Sequence, residues 1–187
     1  MRGRQPKRLG FRVGDESKYY VGIDPGLLGG LAMVNCLGHI QALEVMPCFA
    51  GRVDPGALYR LLESMTKDKD VIVYLEKAHC MPMQGRVSIM NYGIYAGFCE
   101  MALAALALPF EMVVPQTWQR VMFSGIQATI KDPKIKAALK IQRLFGLDQF
   151  QLTGLKVKRP HPGLIDATLI SLFGLRQNVK AANDPDV

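Results

Sequence analysis

The chain has 187 residues, 49% of them apolar, and a formal net charge of +7. That length suits one compact domain with a sizeable core, and that apolar share excludes a chain disordered throughout. The most apolar stretch, Ile94 to Leu108, is short and holds Glu100, which argues against a membrane span and for a soluble, intracellular protein.

Residues 1–18 carry Arg2, Arg4, Lys7, Arg8, Arg12 and Lys18 against Asp15 and Glu16, without apolar periodicity. They read as a flexible basic arm, and with no apolar stretch behind the charges no secretory signal is expected. The pattern changes at Tyr19. Tyr19 to Asp24 is a β-rich run closed by Pro25-Gly26, a turn signal. Leu31 to Val34 and His39 to Met46 continue as strands around a turn at Asn35 to Gly38. Asp54-Pro55 reads as an N-cap with proline at the first helical position, opening a helix to about Met65. Asp70 to Glu76 is an apolar run typical of a buried strand. A loop over His79 to Arg86 leads into a long helix, Ser88 to Leu108, apolar on most sides and so expected to be largely buried. Phe110 to Val114 is a strand stopped by Pro115. Helical signals follow at Thr117 to Phe123 and Pro133 to Phe145. After a basic loop, Lys156 to Pro160, a final helix spans Pro162 to Leu175, and residues 178–187 read as a disordered tail. A meander followed by alternating helices and strands implies an α/β fold: a mixed five-stranded sheet with helices on both faces, occupying residues 19–177.

Cys36, Cys48, Cys80 and Cys99 show neither CxxC spacing nor a histidine pattern, so they read as reduced thiols. A second basic cluster, from Arg120 through Lys131, Lys134, Lys136, Lys140 and Arg143 to Lys156, Lys158 and Arg159, is opposed by Asp132 and Asp148. Such clustering suits a polyanion, since neutralised phosphates release condensed counterions; a solvated basic surface would look the same.

Three acids stand where chemistry is to be expected. Asp24 closes the first strand, Glu76 closes the buried strand, and Asp166 lies one turn into the last helix among Leu164, Ile165, Leu169 and Ile170. A carboxylate at the end of a buried strand is costly unless it is paired or binds a cation. Three together suit Mg²⁺, a hard cation that keeps water and phosphate as further ligands. Taken singly, each has an ordinary explanation: a turn former at Asp24, an ion pair between Glu76 and Lys77, a favourable helix N-terminus at Asp166.

The ordered set of motifs resembles the RuvC-like Holliday junction resolvases, especially the phage and chloroplast types. It consists of Val21-Gly22-Ile23-Asp24-Pro25-Gly26, Leu75-Glu76-Lys77, Met81-Pro82-Met83-Gln84-Gly85 with Ser88 and Asn91-Tyr92-Gly93, Val114-Pro115-Gln116-Thr117-Trp118, and Gly163-Leu164-Ile165-Asp166-Ala167. It spans residues 19 to 175. The resemblance implies a ribonuclease H-like fold, two Mg²⁺ ions per site with Mn²⁺ able to substitute, no small-molecule cofactor, and a homodimer that places paired symmetric nicks in a four-way DNA junction. In that reading Asp24 bridges both metals, and Glu76 and Asp166 each hold one side. The sequence departs from the pattern before the last aspartate, where His161, Pro162 and Gly163 stand in place of a further acid or histidine at three to five residues' distance. His161 is the candidate for the fourth position, and a loop histidine is the alternative.

By position, Lys77, Gln84 and Arg86 would lie over bound DNA, with Met81 and Met83 either sharing the loop's junction contacts or packed beneath it. Lys134, Lys136 and Lys140 recur on one helix as a phosphate-contacting or merely solvated face. Lys156, Lys158 and Arg159 precede the final helix, close to the site. Trp118 reads as a core residue, and Tyr92 and Tyr95 as core or dimer packing, with base stacking the alternative. Gly93 and Gly97 permit close helix approach. Which lysine protonates the leaving group stays open. The rival readings are an actin-like phosphotransferase, for which 187 residues leave no room, a ribonuclease H-like nuclease acting on RNA or RNA–DNA hybrid, and a junction-binding protein whose metal site has decayed. Host cytoplasm, for a viral protein, or an organelle matrix is the expected location.

Overall fold

The structure, a computed structural model, describes residues 18–77, 85–151 and 159–183. Strand β1 (Lys18–Asp24) sends Val21 and Ile23 to one face and Tyr20, Gly22 and Asp24 to the other. It pairs antiparallel with β2 (Gly30–Asn35), Ile23 opposite Leu31, and β2 pairs antiparallel with β3 (Ile40–Val45). The meander is as expected. A short hairpin that the sequence reading did not anticipate follows, β4 (Cys48–Phe49) and β5 (Arg52–Val53). Its turn residues, Ala50 and Gly51, both have positive φ (50° and 74°), the mirror-image geometry that matches strand twist.

Asp54 caps α1 (Pro55–Thr66) by accepting the Ala57 N–H at 3.0 Å. Strand β6 (Asp70–Glu76) then returns parallel to β1, Ile23 beside Leu75, and α2 (Arg86–Ala105) crosses to β7 (Phe110–Val113), parallel to β6. The sheet order is β3-β2-β1-β6-β7. Helices α3 (Pro115–Met122), α4 (Pro133–Leu144) and α5 (Pro162–Asn183) complete the chain, with a 3₁₀ turn at Asp148–Phe150.

Both faces of the sheet are covered. Leu58 and Leu62 of α1 and Tyr95, Cys99 and Leu103 of α2 pack on Val21, Ile23, Val73 and Leu75. Trp118, Ile141, Leu169, Ile170 and Phe173 pack on Tyr20 and Tyr74. Burying one such large apolar side chain is worth about 1.5–3 kcal/mol. Helix α5 lies directly on β1: a Cβ at Gly22 would collide with the Ala167 carbonyl and the Ser171 amide, and the Ser171 hydroxyl donates to the Tyr20 carbonyl at 2.8 Å.

Two expectations are corrected. Helix α5 runs to Asn183, past the expected start of the tail at 178, because Asn178 is anchored: its Nδ2 donates to the Tyr74 hydroxyl at 2.7 Å and to the Gly174 carbonyl at 3.0 Å. Helix α2 is not buried all round. Val87 and Met101 are 67% exposed and Met90 59%, and a Cβ at Gly93 or Gly97 would meet nothing. The helix starts at Arg86, after extended Gly85, and ends at Ala105 as Ala107 turns to φ 52°. Cys48 and Cys99 are free thiols, while Cys80, the basic arm as far as residue 17 and the end of the tail (184–187) lie outside the described residues. No described helix is long and apolar enough to cross a membrane.

Candidate active site

The parallel register of β1 and β6 brings Asp24 and Glu76 side by side at the ends of adjacent central strands, on the face covered by α5. Asp24 Oδ1 accepts the Gly26 N–H at 3.0 Å, a turn that fixes the carboxylate as the strand ends. Glu76 is buried, and both of its oxygens are engaged: Oε2 accepts the Tyr92 hydroxyl at 2.9 Å, Oε1 the Trp118 indole N–H at 2.8 Å. The pairing with Lys77 weighed from sequence is not formed; that lysine is exposed, and its backbone N–H donates to the Val113 carbonyl.

Asp166 enters from the first turns of α5, and the three carboxylates sense one another. Burial, then the charge of Glu76, pushes Asp24 up to about 7, against the Gly26 hydrogen bond and Lys134, which pull it down. Burial, then Asp24 and Glu76, pushes Asp166 up to about 8, again opposed by Lys134. Burial raises Glu76 too, countered by its bonds from Trp118 and Tyr92. The Tyr92 phenol is held protonated, first by burial and then by the charges of Glu76, Asp24 and Asp166. Both aspartates keep an edge open to solvent, where an incoming group can reach them.

Two adjoining clefts reach the cluster. One, of about 250 Å³, is lined by Glu76, Gln116, Gln119, Lys134 and Asp166. The other, of about 500 Å³, shares Lys134 and Asp166 and adds Arg159 and Ile165. Lys134 thus lines both clefts and is exposed. Among the described residues no three acid, histidine or cysteine side chains are spaced to hold a metal ion as they stand. The chemistry of the donor set would nevertheless suit one: three neighbouring carboxylates, with Asp24 and Asp166 raised by the charge of their neighbours, are what a hard divalent cation relieves.

His161 caps α5. Its carbonyl accepts the Ile165 N–H at 3.2 Å and its Nδ1 accepts the Leu164 N–H at 3.4 Å, while burial lowers its pKa and favours the neutral ring. Arg86 and Arg159 are exposed and Lys136 is partly so. Lys140 Nζ donates to the Ser124 carbonyl at 3.0 Å and Arg143 to the Gly125 carbonyl at 2.9 Å, so these two brace the loop after α3, a role the helical spacing did not suggest. Gln84, Lys156 and Lys158, with Met81 and Met83, lie outside the described residues. Tyr92 and Trp118 are the site residues to which sequence reasoning gave no role at Glu76, reading Trp118 as core and Tyr92 as packing or base stacking. Both fall within the family-like motifs, but nothing in their spacing assigned them to Glu76.

No protein-family model matches the chain, and no curated protein matches it in sequence. In structure it is similar to T. thermophilus RuvC in complex with Holliday junction substrate, with a TM-score of 0.61 and 20% identity, covering 86% of this chain and 95% of that one. It is likewise similar to a Thermus thermophilus RuvC structure, with a TM-score of 0.60 and 20% identity over 87% and 96% of the two chains. The fold is therefore ribonuclease H-like, of the RuvC kind.

Proposed function

We propose that this chain is a divalent-metal-dependent endonuclease that resolves four-way DNA junctions by paired, symmetric nicks. The observation that carries the reading is the convergence of Asp24, Glu76 and Asp166 from β1, β6 and α5 beside Lys134, on a fold shared with a RuvC bound to Holliday junction substrate. Asp24, Glu76 and Asp166 would hold two Mg²⁺ ions, or Mn²⁺ in their place; His161 would serve as a fourth ligand through Nε2 only by giving up the cap bond, because a neutral imidazole whose Nδ1 accepts carries its proton on Nε2. When bound, such ions lower the pKa of the attacking water and stabilise the departing oxygen.

The chain's own groups do the rest. Lys134, exposed at the junction of the two clefts, receives the scissile phosphate and offsets its charge beside three carboxylates. Arg159, Lys136, Lys77 and Arg86 continue the basic surface around the site, with Gln84, Lys156 and Lys158 added from sequence, and they position the DNA backbone. Water attacks phosphorus, the bond to the 3′ oxygen breaks, and the products are a 5′-phosphate and a 3′-hydroxyl. Symmetric cutting needs two sites related by a twofold axis. The apolar outer face of α2, with Val87, Met90 and Met101 around bare Gly93 and Gly97, is the surface we assign to the second subunit.

The test is cleavage of an end-labelled synthetic four-way junction beside linear duplex of the same sequence, with Mg²⁺ and with EDTA. Ligatable, symmetric nicks on the junction alone, lost with EDTA, are expected. Tight junction binding without cutting would instead identify a decayed-site binder, and indifference to branching a nuclease of RNA or RNA–DNA hybrid.

A further inference from the structure

Glu76 is gripped from two sides. Tyr92 comes from α2 and Trp118 from α3, helices whose buried side chains belong to opposite faces of the sheet, and each supplies one hydrogen bond to a different carboxylate oxygen. A carboxylate oxygen has two lone pairs, so one donor apiece leaves one lone pair on each oxygen for a cation. Both donors are neutral: an indole N–H only donates, and a phenol is uncharged at neutral pH. An arginine in either place would orient Glu76 equally well but cancel the charge that a cation needs. Packing alone does not call for the Tyr92 hydroxyl, since phenylalanine would fill the space of that ring nearly as well.

We propose that Tyr92 and Trp118 are positioning residues that hold the Glu76 carboxylate in one orientation for cation binding, and that Trp118 reports that binding through its emission. The proposal rests on Glu76 being a metal ligand. Trp118 is the chain's one tryptophan, so its fluorescence has a single origin. It is 1% exposed, and its N–H lies 2.8 Å from Glu76 Oε1, so a cation drawing charge from that oxygen changes the indole's immediate field.

The experiment is calorimetric titration of the full chain with Mn²⁺ for wild type, Tyr92→Phe, Trp118→Phe, Glu76→Gln and, as a control, Tyr95→Phe. Tryptophan emission is followed against Mg²⁺ in every variant that keeps Trp118. Tyr95 is a buried ring on the same helix that packs against Phe98, so losing its hydroxyl should leave Mn²⁺ affinity unchanged. Tyr92→Phe and Trp118→Phe should each weaken Mn²⁺ binding by about 10- to 100-fold, the usual effect of removing a group that orients a ligand. Emission should change with Mg²⁺ in wild type and not in Glu76→Gln.

Wild-type affinity in Tyr92→Phe, together with lost affinity in Glu76→Gln, overturns the positioning role and leaves the metal site standing. Unaltered affinity in Glu76→Gln overturns the metal-ligand reading and the proposal with it. A Mg²⁺ response that survives in Glu76→Gln removes Trp118 as the reporter. If Trp118→Phe does not fold, because its ring is fully buried, Tyr92→Phe decides the positioning role.

Discussion

Replacing Gly22 by alanine asks whether the direct seating of α5 on β1 is what assembles the acidic cluster. A Cβ there would collide with the Ala167 carbonyl oxygen and the Ser171 amide nitrogen and lie 3.0 Å from Ser171 Cα. All three are backbone atoms of α5, so no change of rotamer relieves the contact and the helix itself has to move. Overpacking costs about 1–3 kcal/mol, and a clash against fixed backbone on a central strand belongs near the upper end, about 3 kcal/mol. In a chain of this length each kcal/mol lowers the melting temperature by about 2–4 °C, so the expected fall is roughly 6–12 °C. The Ser171–Tyr20 hydrogen bond lies at the same contact and weakens with it. Asp166, on the same helix, is displaced from Asp24, so Mn²⁺ affinity should fall together with stability. Gly56→Ala in α1 is the comparison, because its Cβ would have only the side-chain atoms Arg60 Nη1 and Asp54 Oδ1 nearby, each at 3.4 Å, and an alanine inside a helix is favoured over glycine by up to about 1 kcal/mol. Thermal unfolding by circular dichroism and Mn²⁺ titration on both variants make the test. A Gly22→Ala protein that melts within about 2 °C of wild type and binds Mn²⁺ normally would refute the reasoning.

Asp24→Asn should abolish junction cutting while junction affinity, read by fluorescence anisotropy, holds or rises, since a negative charge beside phosphate is removed; normal cutting would show that the site is misassigned. The raised pKa values of Asp24 (about 7) and Asp166 (about 8), against 3.8 without the fold, mean that the folded metal-free protein binds more protons than the unfolded chain between those values. These two groups therefore favour folding at low pH and lose that contribution as pH rises towards 8, by up to about 1.4 kcal/mol per pH unit for each proton of difference. Urea unfolding in EDTA from pH 5 to 8 should show this decline and saturating Mg²⁺ should remove it; a flat profile in EDTA contradicts the clustering. His161→Asn keeps an N-cap acceptor for α5, whereas His161→Ala loses it at a cost of about 0.5–2 kcal/mol. If His161 also serves as a ligand, both variants lose Mn²⁺ affinity and only alanine loses stability; normal affinity in His161→Asn would confine the residue to capping.

The strands that form the site were legible because their signals are local. A β-rich run ending at Pro25-Gly26 marks β1, and an unbroken apolar run marks β6 as buried on both faces. Asp54-Pro55 and Pro162 announced their helices by capping chemistry. The missed features depend on tertiary contact. The two-strand hairpin at Cys48–Val53 is too short for any periodicity. The last helix outruns its apolar stripe because Asn178 finds the Tyr74 hydroxyl, more than a hundred residues earlier. Helix α2 reads as largely buried because its composition is apolar on most sides, whereas burial depends on what covers it, and Val87, Met90 and Met101 have no cover among the described residues. Tyr92 and Trp118 read as core rings because a polar tip on an aromatic side chain leaves no trace in a hydrophobic pattern.

What brings three acids so distant in sequence into one cluster is parity and close approach together. On β1, Tyr20, Gly22 and Asp24 share a face; on β6, Ile72, Tyr74 and Glu76 share the same one, and the parallel register sets the two strand ends level. A slip of one residue in either strand would turn its acid into the Leu58–Leu62 core on the other side. The apolar sets on both faces oppose that slip, so the burial that stabilises the sheet also fixes the geometry of Asp24 and Glu76. Asp166 needs a second condition, that a helix approach the strand without an intervening side chain, and Gly22 supplies it two residues before Asp24. The position that most constrains the site therefore has no side chain and no chemistry of its own.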